Sequence, residues 1–209
     1  MRIHDISRPV RPGIPVWPGD TPYAFRFVAR IAEGSSVNVG RVEMSVHTGA
    51  HVDAPLHFAD GAPDAAAVPL EACVGPCVVL EVAVGEGGVK PSDLPPGADG
   101  LVRQARRLLL RCYARRPGAF DTHMRHATPA LADWLHERGV LLLGIDTDSM
   151  DAFDSKDLPA HHRLQQHGIT ILEGIDLSAV RPGTYELVAL PLRLEGADAS
   201  PVRAVLLER

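Results

Sequence analysis

The chain reads as a mixed α/β domain, and three features of the sequence say so. Apolar runs short enough to be buried strands recur along it: CVVLEVAV at 77–84, VLLLGI at 140–145 and ITILEGI at 169–175. The last two follow segments with helix start and stop signals, as crossovers between parallel strands require. At 209 residues and 45% apolar content, the chain has the length of a single domain, residues 1–209, and the means to bury a full core.

Taken in order, residues 23–31 and 36–46 are β-like, and 77–84 is a buried strand. KPSDLPPGADG, residues 90–100, is rich in turn formers and reads as a surface loop. A further apolar run covers 106–113. Thr128 and Pro129 open a helix, because Thr caps well and Pro is preset for the first helical position; Gly139 ends it. The strand at 140–145 follows at once. A short helix near 159–167 stops at Gly168, and 169–175 is the next strand. YELVALPLRL and PVRAVLLE, separated by a turn containing EGADAS, form a closing strand pair.

Composition excludes several functions. Net charge is −5, and the densest basic cluster, Arg103, Arg106, Arg107 and Arg111, is broken by leucines and reads as a solvated edge, so nucleic acid is not an expected partner. No apolar run approaches the roughly 20 residues that span a bilayer, so no membrane partner is expected. MRIHDISRPV lacks the apolar core of a secretory signal, which makes the cytoplasm the expected compartment. Cys73, Cys77 and Cys112 are an odd number without a second CxxC pair, and read as buried free thiols.

The chemistry concentrates in SVHTGAHVDAPLHF, residues 45–58. His47, His51, Asp53 and His57 all occupy odd positions, so an extended chain would present them on one face. Fully extended, however, His47 and His57 would stand ~33 Å apart, far beyond what metal–nitrogen bonds of about 2.0–2.1 Å can bridge. The chain must bend, with Gly49 and Pro55 as the natural places; the expectation is a strand end running into a curled loop. Imidazoles with a carboxylate suit zinc, and also manganese or iron. A second group lies in AHHRLQQHGITILEG, where Glu173 sits inside an apolar run. An unpaired carboxylate there would be costly, and metal ligation or a salt bridge would each resolve it. His162 and His167 read as surface or capping residues beside Gly168.

Together these residues resemble the cyclase-type metal-dependent hydrolases, and within them the bacterial kynurenine formamidases (arylformamidases). His47, Gly49, His51, Asp53, Pro55 and His57 match the signature H-x-G-x-H-x-D-x-P-x-H without departure; DSKDLPAHHRL and ILEG resemble the second metal-binding stretch. VWPGDTPY and GSSVNVGR resemble the formamidase branch specifically. The resemblance implies a domain of the swivelling β/β/α type, assembled as a homodimer or larger. It implies two Zn²⁺ ions per subunit, with Mn²⁺ or another divalent metal as an alternative. His47, His51 and Asp53 would hold one ion; His161, rather than His162, and Glu173 would join Asp53 around the second, with bridging carboxylates. His57 would be the acid/base, and Trp17 would line the substrate pocket. The reaction implied is hydrolysis of N-formyl-L-kynurenine to L-kynurenine and formate in tryptophan breakdown.

Three other readings are set against this one. A relative of the same family could act on isatin or another cyclic amide or lactone. A serine hydrolase would need a nucleophile elbow, and no G-x-S-x-G occurs; Ser45 reads as a polar residue at a strand edge. A non-catalytic metal-binding protein would have no use for His57 beyond its ligands.

Overall fold

A computed structural model describes residues 1–83 and 85–208. In chain order the strands are β1 (Arg2–Asp5), β2 (Ala24–Ala29), β3 (Val39–Glu43), β4 (His51–Asp53), β5 (Val74–Glu81), β6 (Gly87–Val89), β7 (Arg107–Arg111), β8 (Arg125–Ala127), β9 (Leu142–Ile145), β10 (Thr170–Glu173), β11 (Gly183–Val188), β12 (Ala199–Pro201) and β13 (Val205–Glu208). The α-helices are α1 (Leu70–Cys73), α2 (Ala98–Ala105), α3 (Pro129–His136) and α4 (Pro159–Gln166).

Nine strands form one sheet in the order β1-β13-β11-β5-β7-β9-β10-β4-β12. Its centre, β5-β7-β9-β10, is parallel, and the strands outside it pair antiparallel. The parallel strands are apolar on both faces, and alternation divides their side chains between two cores. Val78, Leu108, Leu110, Leu143 and Ile171 pack beneath α2, α3 and α4. Val79, Leu109, Leu142 and Leu172 pack on the other side with Ile6, Val52 and Leu206. The mixed α/β class read from the sequence is the observed one.

Most predicted elements are present with shifted ends. The strand at 77–84 runs Val74–Glu81, and Val84 lies outside the described residues. The run 140–145 contains β9 and 169–175 contains β10. Thr128 caps α3 by accepting the Leu131 amide, and Gly139 follows at φ +67°. Cys73, Cys77 and Cys112 are buried free thiols, and burial pushes the Cys73 thiol up to about 11.

Four readings need correction. Residues 90–100 are not a plain loop: Pro91–Asp93 is a 3-10 turn and α2 begins at Ala98. The EGADAS turn ends inside a strand, because Ala199–Pro201 pairs with β4. YELVALPLRL stays in the sheet only to Val188, where β11 ends. Arg107 is not on a solvated edge but 6% exposed. Its guanidinium donates to the carbonyls of Ala72 (2.8 Å), Pro76 (3.2 Å) and Glu71, tying α1 and the start of β5 to β7. Sequence position could not reveal this, since the acceptors lie more than thirty residues away.

Arg107→Ala would strip three carbonyls of their shared donor, at a cost of about 2–4 kcal/mol. Urea unfolding with an unchanged m-value is the expected result, and a loss under about 1 kcal/mol would show that water replaces the guanidinium.

Candidate metal centre

The site lies where β10 ends and β4 pairs with it. Val52 and Leu172 enter one core, so alternation turns their neighbours His51, Asp53 and Glu173 to the other face. Register then places Glu173 directly across from His51. His161 reaches the same face from the first turn of α4 and is 2% exposed. His47 precedes β4 in a turn, and His57 follows it in the 3-10 turn Pro55–His57. Gly49, at φ +75°, provides the bend, and the His47 and His57 rings meet with centroids 4.1 Å apart. The expected strand end with a curled loop is what forms.

The distances define two overlapping groups. Asp53 Oδ1 lies 3.2 Å from His47 Nδ1 and 3.3 Å from His51 Nε2. Asp53 Oδ2 lies 3.6 Å from His161 Nε2. Glu173 spans the same rings, with Oε2 3.5 Å from His51 Nε2 and Oε1 3.3 Å from His161 Nε2. Potential ligand atoms of His51, Asp53 and Glu173 cluster within 4.8 Å of one another, and so do those of His47, Asp53 and His57. All five sequence-derived ligand candidates are therefore brought together, with His57 beside them.

Burial works against charge at each of these groups, and the neighbours overcome it. The pull of His161, His47 and His51 holds Asp53 well below the usual carboxylate range. Against its own burial, the two carboxylates raise His51 to about 10, and Asp151, Asp53 and Glu173 raise His161 well above its ordinary value. The cluster is a strongly cation-seeking site. Yet His51 Nε2 and both Asp53 oxygens are buried without a hydrogen-bond partner. Buried polar atoms with no partner are expensive; here they are also the atoms that converge. Nitrogen and carboxylate donors so arranged fit a divalent metal, with neutral imidazoles as ligands.

Two carboxylates that sequence reading missed support these rings. Asp151 accepts the amides of Ala160 and His161, capping α4, and its Oδ2 lies 2.7 Å from His161 Nδ1. That contact turns Nε2 toward the cluster. Asp198 Oδ2 lies 3.0 Å from His47 Nε2 and 3.2 Å from His57 Nδ1. One aspartate stands among several in DSMDAFDSKD and the other in EGADAS, so neither carried a signal without the fold. His162 turns from the cluster to lie edge-on to Phe58, and His167 ends α4 and bonds Asp133.

A cavity of about 560 Å³ opens over the cluster, in the usual range for small-molecule sites. Its lining includes Trp17, His47, His51, His57, His161 and Glu173. Trp17 is half-buried, with its indole edge-on to Phe120 (5.3 Å, 82°) and tilted against Phe153 (5.1 Å, 42°). Ser45 is not at a strand edge but beyond the end of β3, in this wall. Its hydroxyl donates to Asp20 Oδ2 at 2.9 Å, and no histidine ring contacts that hydroxyl among the described residues.

Fold and site together define a mixed α/β protein with a buried histidine–carboxylate centre under a pocket that Trp17 lines. The chain belongs to the putative cyclase family, whose model matches residues 4–152. Among solved structures, one described as a potential metal-dependent hydrolase with cyclase activity is 27% identical, with a TM-score of 0.81 over 100% of this chain and 98% of that one. A predicted metal-dependent hydrolase from Bacillus stearothermophilus is 26% identical, with a TM-score of 0.78 over 100% and 98%. Isatin hydrolase A from Labrenzia aggregata, bound to benzyl benzoate, shares the fold at 24% identity, with a TM-score of 0.82 over 100% and 94%.

The backbones carrying the ligands meet at two glycines. A Cβ on Gly174, which has φ +67°, would stand 2.1 Å from the Gly49 carbonyl oxygen. Gly174→Ala is expected to cost more than ~3 kcal/mol through strain plus collision, and to lower the bound metal per subunit. Gly34→Ala, at φ +91° in open space, should cost only about 1 kcal/mol. Equal losses in denaturant titrations of the two variants would show that the approach to Gly49 is relieved at no cost.

Proposed function

We propose that this protein is a metal-dependent amidohydrolase that hydrolyses N-formyl-L-kynurenine to L-kynurenine and formate. The observation that carries this reading is the buried cluster of His47, His51, Asp53, His161 and Glu173 in the floor of a pocket that Trp17 also lines. The hydrolase descriptions of two structural relatives support it further. His47, His51 and Asp53 would hold one ion, and His161 and Glu173 with Asp53 a second, Zn²⁺ being the proposed metal. When bound, such ions supply an activated water and polarise the scissile carbonyl.

The chain's own groups do the rest. In the reaction, oxygen from water adds to the formyl carbon, the C–N bond breaks, and the aryl amine nitrogen takes a proton. His57 is assigned as the acid/base: its Nδ1 faces Asp198, and its Nε2 has no hydrogen-bond partner among the described residues. An imidazole suits this work near neutral pH. Trp17 is assigned to pack against the substrate's aniline ring, held in place by Phe120 and Phe153.

The second reading, hydrolysis of isatin or a related cyclic amide or lactone, is supported by the isatin hydrolases that share this fold. A homodimer is also proposed. The ribbon of β2 and β3 exposes Phe25, Phe27, Val39 and Val42, and a two-stranded ribbon of this kind is marginal in water unless something covers it. No helix among the described residues is long and apolar enough to cross a membrane, and the cytoplasm remains the proposed compartment.

Exhaustive chelation should abolish formamide hydrolysis and Zn²⁺, Mn²⁺ or Co²⁺ should restore it, while serine-directed phosphonates leave it untouched. Asp53→Ala should lose metal together with activity, and full occupancy in that variant, measured by elemental analysis, would remove Asp53 from the centre.

The substrate assignment rests on a comparison of two substrates. Aromatic contacts contribute about 0.5–1.5 kcal/mol beyond area burial, so Trp17→Ala should raise KM for N-formylkynurenine several-fold and leave a small non-aromatic formamide much less affected. Equal losses on both, or faster turnover of isatin by the wild type, would turn the choice toward the second reading.

A further inference from the structure

We infer that Asp198 is a positioning residue that sets, through one carboxylate oxygen, both the metal-facing nitrogen of His47 and the working orientation of His57. The His57 half rests on the hydrolase reading above; the His47 half does not depend on it.

Asp198 is fixed where its side chain must act. Its carbonyl accepts the Ala54 amide at 2.9 Å, and the next residue, Ala199, pairs with Asp53 in the β12–β4 ladder. Past β12, the Val202 amide donates to the Ala50 carbonyl at 2.9 Å. The segment carrying the carboxylate is thus registered to the strand that carries His51 and Asp53, and to the turn that carries His57.

A single oxygen, Oδ2, receives both rings: His47 Nε2 at 3.0 Å and His57 Nδ1 at 3.2 Å. A carboxylate only accepts, so His57 Nδ1 carries the proton when that imidazole is neutral, and His47 Nε2 carries it once a cation takes the Asp53-facing side of the ring. His47 is left with its Nδ1 lone pair, and Nδ1 is the atom 3.2 Å from Asp53 Oδ1, facing the cluster. His57 is left with its Nε2 lone pair on the opposite side of the ring. Without Asp198 the His57 ring can flip or change tautomer, because it makes no other side-chain hydrogen bond among the described residues, and the His47 ring keeps only its Asp53 contact at Nδ1. Carboxylates that orient metal-bound histidines in this way are typically worth 10–100-fold in metal affinity or activity.

A merely structural role makes different predictions. The Asp198 side chain is 45% exposed, and ion pairs that open to solvent add little to stability. Its removal should therefore leave the fold's melting temperature nearly unchanged while altering the chemistry.

The test uses the full chain loaded with Zn²⁺, comparing wild type with Asp198→Ala, Asp198→Asn, His57→Ala and the His57→Ala/Asp198→Ala double variant. Four quantities are read: kcat and KM for N-formylkynurenine, Zn²⁺ retention against a competing chelator, and the metal-free melting temperature. Asp198→Ala is expected to lower kcat by about 10–100-fold with KM within about twofold, and to weaken Zn²⁺ retention by at least about tenfold. The metal-free melting temperature should stay within about 2 °C. Asp198→Asn should recover much of both losses, because an amide oxygen can accept the same two N–H groups. In the His57→Ala background the further cost in kcat should shrink to about threefold or less, since the effect acts through that ring. Fully multiplicative losses, an Asn variant no better than Ala, or wild-type Zn²⁺ retention in Asp198→Ala would overturn the inference. Wild-type kcat in His57→Ala would overturn its His57 half together with the acid/base assignment. Should formamides not be turned over at all, Zn²⁺ retention alone decides the role of Asp198.

Discussion

Asp53 and Glu173 are carboxylates buried on the helix-covered side of the sheet, and burial of charge without compensation is among the largest costs a fold can carry. Three histidines around them, His47, His51 and His161, meet that cost in part by geometry alone. A divalent cation at the atoms that have no hydrogen-bond partner would meet the remainder. Metal binding and folding are then linked, since a ligand held only by the native cluster stabilises the native state. Much of the architecture can be understood as the means of holding these five side chains at contact distance.

Each supporting feature answers one part of that demand. Antiparallel pairing of β4 with β10 sets Glu173 across from His51. Gly174 lets its segment approach the Gly49 carbonyl more closely than any residue with a side chain would allow, and Gly49 supplies the left-handed bend before β4. Asp151 caps α4 and fixes the His161 ring with the same carboxylate, so the helix start and the ligand cannot move independently. The parallel core strands, apolar on both faces, provide the rigid layer from which the site projects. Rigid elements hold ligand geometry better than loops do, and three of the five side chains, those of His51, Asp53 and Glu173, stand on strands.

Much of this was legible in the sequence, and unevenly so. The strands at 140–145 and 169–175 and the helix after Thr128 were readable because each is specified locally, by apolar runs and capping residues. The helix α2 is hidden by the Pro- and Gly-rich segment before it, and β1 and β12 are hidden because three or four residues of strand carry no periodic signal. Arg107 is hidden for a different reason. A guanidinium in an arginine-rich stretch looks solvated until distant carbonyls come to surround it.

For the site, the sequence by itself determined the chemical inventory: imidazoles and carboxylates at a spacing that no simple polar turn explains, a glycine and a proline where the chain has to bend, and a glutamate inside an apolar strand. It also fixed which side chains share a face, because alternation in a strand is a property of the backbone. Tertiary structure alone decided which atoms meet. His161 rather than His162 enters the cluster because a turn of α4 packs that way against the sheet, and the carboxylates of Asp151 and Asp198 take up the outer ring nitrogens because segments remote in sequence are brought beside them. Local chain geometry is written in neighbouring residues, whereas the orientation of a ring depends on contacts between segments as much as 151 residues apart, and only the folded chain brings those into being.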